Sequence, residues 1–406
     1  MVYDIAIIGG GAAGLTAAIY AKTENPKLNI VILEALDRVG KKLITTGNGR
    51  CNITNKYADI TRYHGSCKEF TKGIFADFSV QKVTDFFKGI GIDIVFEEDG
   101  RAYPRSYQAS SVVDALRFAV EENGIEVITG CKITDIKKQD YFTLKHDGGV
   151  YSAHTVICAT GLLSGGKPVG SDGAFLEVLK AKGIRSQKLT PAIVQLKTDT
   201  TLTRQLKGVK VDALVTLSDG KPMREEFGEV LFTDYGLSGP PILQVSRNAA
   251  EGTAIYLDFA HEYTFNEVVD ILTERRENLK KRTNENFLTG FINKRVGQCL
   301  VKNCGLSLGD SVSKLTDKDI KNIAFTLKKT EFKVLGNTGF NNSQVTAGGI
   351  LADEVGENLE SKRMKGLFFA GEILDIDGDC GGFNLQWAFS SGMLTAGKAI
   401  ECLRSK

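Results

Sequence analysis

The stretch Asp4–Leu15, DIAIIGGGAAGL, constrains this chain more than any other. Ile5 to Ile8 form an apolar run of strand length, the pattern of a parallel strand covered on both faces. Gly9, Gly11 and Gly14 then spell GxGxxG, and Ala12 to Ala21 read as a helix of small residues. In such a unit the first glycine makes the tight turn, and the second lets a pyrophosphate approach the backbone. The third lets the helix pack closely on the strand. The helix start offers unpaired N–H groups and a positive dipole end to phosphate. A second apolar strand, Asn29–Leu33, ends at Glu34, about twenty residues after Gly14, where the acidic partner of a ribose hydroxyl belongs. Strand, glycine turn, helix, strand and acid together predict a dinucleotide-binding unit.

The 406 residues provide for two or three domains, and 42% hydrophobic with 25% charged residues is the composition of an ordinary globular protein. A net charge of +2 makes no general case for nucleic acid or an anionic membrane. No apolar run approaches the roughly 20 residues of a membrane span. No basic n-region precedes the first strand, so no signal peptide is predicted and the cytoplasm is the expected location. The eight cysteines contain no CxxC pair, and the closest two, Cys299 and Cys304, read as buried thiols.

The segment Asp37–Asn55, DRVGKKLITTGNGRCNITN, is too irregular for a strand and too rich in Gly, Thr and Asn for a good helix. Arg38, Lys41, Lys42 and Arg50 lie beside the predicted diphosphate site, so this loop is expected to run along the cofactor and neutralise its phosphates. Helical spacing covers Phe75–Gly91, and Ser110 is the expected cap of a helix Val112–Asn123. Strands are predicted over Glu126–Thr129 and Lys132–Lys137, with a hairpin joining Tyr141–His146 to Gly149–Ser152. A further strand, Thr155–Cys158, delivers Ala159-Thr160-Gly161 to the same crevice.

From Leu189 alternating segments predict an inserted antiparallel domain, and residues 262–330 change to helix. There Thr316 with Asp319 reads as a helix cap. That helical stretch carries 13 Lys and Arg against 9 Asp and Glu, a balance read as a solvated surface rather than a nucleic-acid patch. The chain then returns through the strand Gly366–Ala370, Gly371-Glu372, an acidic loop, Gly381-Gly382 and a helix over Gln386–Leu403. Two chain ends closing on one site suit FAD better than NAD, because the longer cofactor needs a second surface for its flavin end. A helix starting near Asn384 would aim its positive end at the flavin pyrimidine and stabilise the charge of the reduced ring.

GNGRCNITN (47–55), GRAYPRS (100–106), VICATG (156–161), GSDG (170–173), LFTDYGLSGPPILQVS (231–246), VTAGGI (345–350) and FAGEILDIDGDCGGFNLQWAFSSG (369–392) resemble the YhiN/BaiN-like flavoproteins, also called the aminoacetone oxidase family of FAD-binding enzymes. The resemblance spans nearly the whole chain. It implies an α/β fold with a Rossmann-like FAD domain built from both ends (1–188 and 345–406). It further implies an inserted β-rich substrate domain (189–261 and 331–344) and a helical insert (262–330). It places Gly9, Gly11, Ala12, Ala13 and Gly14 on the diphosphate, Glu34 on the adenosine ribose and the Ile133 backbone on the adenine side. Lys42, Asn48, Gly49, Arg50 and Cys51 would line the cofactor, with Ala159 and Gly161 near the diphosphate. Gly371, Glu372, Gly382, Asn384 and Leu385 would serve the ribityl chain and flavin. Family members often carry a His in the block that reads FTDYGLSG here. Asp234 stands in its place, so a His-based role does not carry over.

The expected activity is that of an FAD-dependent oxidoreductase. No second GxGxxG unit is visible, so NAD(P)H would bind transiently over the flavin, or oxygen or another acceptor would be used. No CxxxxC follows the first motif, which argues against a disulfide-reductase mechanism, and Cys51 reads as a small packed residue rather than a redox thiol. The leading expectation is NAD(P)H-driven reduction of a conjugated small molecule such as an enone. Arg101, Tyr103 and Arg105 would face the substrate, with Tyr235 at the mouth of the β domain. The alternatives are an amine oxidase producing hydrogen peroxide and a non-enzymatic flavoprotein binding RNA or a protein.

Overall fold

The computed structural model describes residues 1–405. The opening apolar run is the strand Val2–Ile8, and its neighbours make it a central strand. Glu126–Ile128, Ile30–Leu33, Val2–Ile8, Gly149–Cys158 and Leu367–Phe369 run parallel, in that order. Phe142–His146 pairs antiparallel with the first half of Gly149–Cys158, and Asp135–Lys138 follows it at the edge. Both sheet faces are covered. Ile5, Ile7, Ile32 and Phe368 pack with the first helix, Ala12–Glu24, the helix Ala109–Glu122 and the last helix, Phe383–Arg404. Ala6, Ile8, Val31, Leu33 and Phe369 pack on the other side, with Phe175, Leu176 and Leu179. Two-sided burial explains why these strands read as unbroken apolar runs rather than alternating ones.

The chain forms two compact units, residues 1–192 with 340–406, and residues 193–339. The second unit holds a closed six-strand antiparallel barrel, with Leu196–Thr198, Gly236–Ser238, Pro222–Phe232, Lys210–Ser218, Ala254–Asp258 and Thr330–Asn337 in order around it. Helices Phe265–Asn278, Lys294–Asn303 and Asp317–Lys328 intervene between its last two strands and share its core through Val268, Leu272, Ile323 and Leu327. Thr316 and Asp319 form the expected capping box.

Several local readings change. The predicted helix Phe75–Gly91 is two helices, Phe70–Asp77 and Val80–Gly89, because Ser79 accepts from the Lys82 N–H and starts the second. Gln108, not Ser110, occupies the N-cap of Ala109–Glu122. Gly149–Cys158 is one strand where two were expected, and the strand expected over Lys132–Lys137 is Asp135–Lys138. One helical turn, Lys41–Thr45, interrupts the expected loop, anchored where the Gly40 N–H donates to the Gly10 carbonyl at 2.9 Å.

Candidate functional site

Three strands of the first unit end level with one another, since Ile8 pairs with Cys158 and Cys158 with Phe369. Three turns leave those ends together: Gly9–Gly11, Ala159–Gly161 and Gly371–Glu372. The Ala159 N–H donates to the Ile8 carbonyl at 2.8 Å, and the Ala370 N–H to that of Cys158 at 3.0 Å. A methyl group built on Gly371 would lie 3.1 Å from Ala13 Cβ, so the C-terminal turn touches the start of the first helix. In open α/β sheets the crevice beyond the carboxyl ends of the strands is where ligands bind.

The first helix begins in that crevice with Gly11 at its N-cap, and its leading N–H groups have no intrahelical acceptor. A Cβ at Gly14 would come within 2.0 Å of the Gly9 carbonyl oxygen, so only glycine lets the helix start this close to the turn. Gly11 is different, because a Cβ there would meet no heavy atom within 4 Å. The crevice is therefore open beside an array of N–H donors, which fits a diphosphate. Glu34 sits next to it, accepting the Gly10 N–H on Oε2 at 2.7 Å and the Leu36 N–H on Oε1 at 2.8 Å. Each oxygen keeps a lone pair for a sugar hydroxyl. Ile133 is buried, two residues beyond Cys131, whose N–H donates to the Glu34 carbonyl at 2.8 Å. These residues fit a dinucleotide.

The two most distinctive motifs interlock. In GNGRCNITN, Gly47, Asn48, Gly49 and Cys51 all take positive φ, which folds the segment into a tight coil. Thr54 Oγ1 then donates to Gln386 Oε1, and Asn55 Nδ2 to the Gly381 carbonyl at 2.8 Å. Gly382 caps the last helix at φ +98°, where a Cβ would lie 2.3 Å from the Thr54 carbonyl oxygen; conformation and space both require glycine. Asn384 shapes the same loop, its Oδ1 accepting the Gly378 N–H at 2.8 Å and its Nδ2 donating to the Gly378 carbonyl at 2.9 Å. Leu385 is half-buried against the core. The N-terminus of this 22-residue helix is thus fixed beside the GRCN coil.

The basic loop differs from expectation. Lys41 pairs with Asp37 at 2.5 Å, and Lys42 with Glu372 at 2.6 Å. Arg50 lies 4.5 Å over the Tyr103 ring and 3.8 Å from Glu97. Three of the four charges assigned to phosphate are therefore engaged by protein groups, and Arg38 remains exposed. Tyr103, expected to face a substrate, is 2% exposed, covered by Arg50 and by Tyr107 at a ring distance of 5.6 Å. Arg101 pairs with Asp99 at 3.3 Å, and its Nε borders Gly381; Arg105 is exposed. Tyr235 belongs to the second unit, where it is half-buried and its carbonyl accepts the Thr198 N–H at 3.2 Å. Beside it, Asp234 pairs with Lys207 at 2.6 Å. Cys51 is fully buried, and burial pushes its thiol up to about 12, partly opposed by a hydrogen bond to Thr46. A neutral, enclosed thiol is a packing residue rather than a nucleophile.

Two groupings carry no sequence signal. Ser164 Oγ and the Thr346 N–H both donate to Glu372 Oε1, at 2.6 and 2.7 Å, while Lys42 donates to Oε2 and to Ser164 Oγ. His64 Nε2 lies 2.9 Å from Oδ1 of the buried Asp379, in the loop before the last helix. Neither Ser164 nor His64 stands in a spacing that marks a site.

Among the described residues no helix is long and apolar enough to cross a membrane, and all eight cysteines are free thiols. The chain resembles the FrdA chain of Escherichia coli quinol fumarate reductase, with a TM-score of 0.54 at 16% identity over 100% of this chain and 71% of that one. A 3-ketosteroid delta1-dehydrogenase from Sterolibacterium denitrificans gives 0.50 at 13% identity, covering both chains fully. These likenesses concern the fold. In sequence, the chain is 34% identical to a 3-dehydro-bile acid delta(4,6)-reductase of Clostridium scindens, over 98% of this chain and 99% of the relative. It is 27% identical to a ribosomal RNA dihydrouridine synthase of Escherichia coli, over 99% of each. The family model described as the HI0933-like protein Rossmann domain matches residues 3–399. With the glycine turn, the paired chain ends and nearly the whole length matched, the chain belongs to the HI0933-like Rossmann family, the YhiN/BaiN-like flavoproteins.

Proposed function

We propose that this FAD-dependent oxidoreductase saturates a carbon–carbon double bond conjugated to a carbonyl in a small molecule, with NAD(P)H as the hydride source. One observation carries the reading: the match to the bile-acid delta(4,6)-reductase along essentially the whole of both chains. The dihydrouridine synthase, by its name, also forms a product in which a double bond conjugated to a carbonyl has been reduced. The two relatives share a reaction class and differ in substrate. A small molecule is favoured over RNA because the net charge is only +2 and the 13 Lys and Arg of residues 262–330 are offset by 9 Asp and Glu.

The chemistry that FAD supplies is two-electron transfer, from the nicotinamide to the β-carbon of the activated alkene as hydride, with a proton added at the α-carbon. The chain's part is binding and orientation. Gly9, Gly11, Ala12, Ala13, Gly14, Ala159 and Gly161 would hold the diphosphate, Glu34 the ribose and the Ile133 backbone the adenine. Lys42, Asn48, Gly49, Arg50, Cys51, Gly371, Glu372, Gly382, Asn384 and Leu385 would frame the ribityl chain and flavin. The positive end of the last helix would stabilise charge on the reduced ring.

Anaerobic mixing tests the proposal. NADH or NADPH should bleach the oxidised flavin, and a 3-oxo-delta(4,6) steroid should restore the colour while gaining two hydrogens. Absence of bleaching by either nicotinamide refutes it. Bleaching by aminoacetone with recovery and peroxide formation in air would instead establish the amine oxidase. The full-length likeness to the dihydrouridine synthase supports a second reading, with RNA as the alkene-bearing substrate. Uridine loss in ribosomal RNA under the same conditions would favour it.

A further inference from the structure

Three stretches of the chain, at Lys42, Ser164 and Thr346, close around the carboxylate of Glu372. Oε1 accepts Ser164 Oγ–H at 2.6 Å and the Thr346 N–H at 2.7 Å, and Oε2 accepts Lys42 Nζ at 2.6 Å. Lys42 also donates to Ser164 Oγ, so lysine, hydroxyl and carboxylate form a closed ring. Thr346 Oγ1 accepts the N–H groups of Leu163 and Ser164 at 3.1 and 3.0 Å, which fixes the turn that presents the serine. Ser164 is fully buried, and the Lys42 and Glu372 side chains are 29% and 17% exposed. The carboxylate has little freedom to rotate. Its Oε2 faces the α-carbon of Gly161, where a Cβ would come within 3.6 Å, and Gly371 beside it touches Ala13. This charge pair therefore sits at the crevice where the three turns and the start of the first helix meet.

We propose that the Lys42–Glu372 ion pair sets the reduction potential of the bound flavin, and that Ser164 and Thr346 are positioning residues that hold Glu372 for that role. Two-electron reduction with uptake of one proton adds one negative charge to the site. A lysine that compensates Glu372 favours that charge, and an uncompensated glutamate opposes it. Partial burial keeps either effect from being screened away. The inference needs bound FAD and no particular substrate.

The test is a redox titration of the FAD-loaded protein with dithionite and reference dyes. Lys42→Met should lower the midpoint potential and Glu372→Gln should raise it, each by about tenfold in the oxidised-to-reduced equilibrium, about 30 mV for a two-electron couple. Lys42→Arg should stay near wild type. The double variant Lys42→Met/Glu372→Gln, neutral at both positions, should also return toward wild type, and Lys42→Gln, which removes the charge but keeps a polar head, should shift the potential like Lys42→Met and serves if that variant fails to fold. Ser164→Ala should weaken FAD retention about tenfold and lower the potential less than Lys42→Met. Equal potentials in all variants, or shifts of the same sign in Lys42→Met and Glu372→Gln, overturn the proposal. A merely structural pair would lower melting temperature in both without opposite redox shifts.

Discussion

Glu354 is a buried carboxylate, 2% exposed, in the excursion between the strands Val345–Ile350 and Leu367–Phe369 that leads into Gly371-Glu372. Arg185 Nε lies 2.5 Å from its Oε1, and Arg363 reaches Oε2 through Nε at 2.5 Å and Oε1 through Nη2 at 3.2 Å. The Arg363 guanidinium, opposed by burial and helped by Arg185, holds the carboxyl down to about 2, against an ordinary 4.5. A depression of that size corresponds to about 3 kcal/mol. The Arg185 and Arg363 side chains are 57% and 47% exposed, so water screens the attraction, and about 2 kcal/mol is the working figure. The sign follows from the lowered value. The stability is fully present above about pH 4.5, where the unfolded carboxyl is ionised, and is lost as pH falls toward about 2. Glu354→Gln removes the charge while keeping the shape. Thermal melts of FAD-saturated protein near pH 7 should show the variant about 2–4 °C below wild type. Near pH 3 the gap should shrink by more than half, because the wild type is by then losing the same contribution. A gap that is equal at the two pH values, or absent near neutrality, would refute the ion-pair account and leave only packing.

The glycine turn permits a contrast. Gly11→Val should leave the stability of the FAD-free protein, read by urea melts, within about 1 kcal/mol of wild type yet abolish FAD retention, since its side chain meets only open space. A yellow, fully loaded Gly11→Val protein would contradict the diphosphate assignment. Gly14→Ala should instead destabilise the FAD-free fold by about 1–3 kcal/mol or more, read by urea melts, because its Cβ would overlap the Gly9 carbonyl. Cys51, Cys67 and Cys158 are all pushed up to about 12 by burial, so at pH 8 they should resist iodoacetamide in the native protein and react once it unfolds, checked by peptide mass. Thr54→Val strands the buried Gln386 carbonyl and should cost about 1–3 kcal/mol, whereas Thr54→Val with Gln386→Leu should cost less than the sum of the singles.

What the sequence shows well is what neighbouring residues decide. The strand Val2–Ile8, the glycine turn and the first helix are written in consecutive residues, and so are the helix cap at Thr316 and the hairpin at Asp147–Gly149. The break after Asp77 is hidden because apolar residues stand at helical spacing on both sides of it, although Ile74 packs into one part of the core and Val83 and Phe87 into another. The short helix at Lys41 is hidden for the opposite reason. Its residues favour a loop, and a tertiary bond from Gly40 to Gly10 decides the matter. Charge pairing is the feature that neighbouring residues reveal least. A count of Lys and Arg near a predicted anion ignores acids that arrive from elsewhere, and Glu372 stands 330 residues beyond the lysine it pairs with.

The motifs that identify the family most sharply work by shaping backbone. Asn55, Asn384 and Gly382 in GRCN and GGFNLQ bond or yield to main-chain atoms, while Thr54 and Gln386 bond to each other. A turn that must present its N–H groups in one direction tolerates few side chains, as the space at Gly382 shows. Backbone donors read charge and shape and do not distinguish one carbonyl-bearing alkene from another. One relative is named for a bile acid and another for ribosomal RNA, and each matches this chain along nearly its whole length. On the proposed reading, substrate choice falls to side chains that the motifs do not immobilise, such as the exposed Arg105, and to the inserted β-rich unit expected to carry the substrate. A swap of the barrel unit between this chain and a relative should thus move substrate preference while leaving FAD retention and flavin potential unchanged.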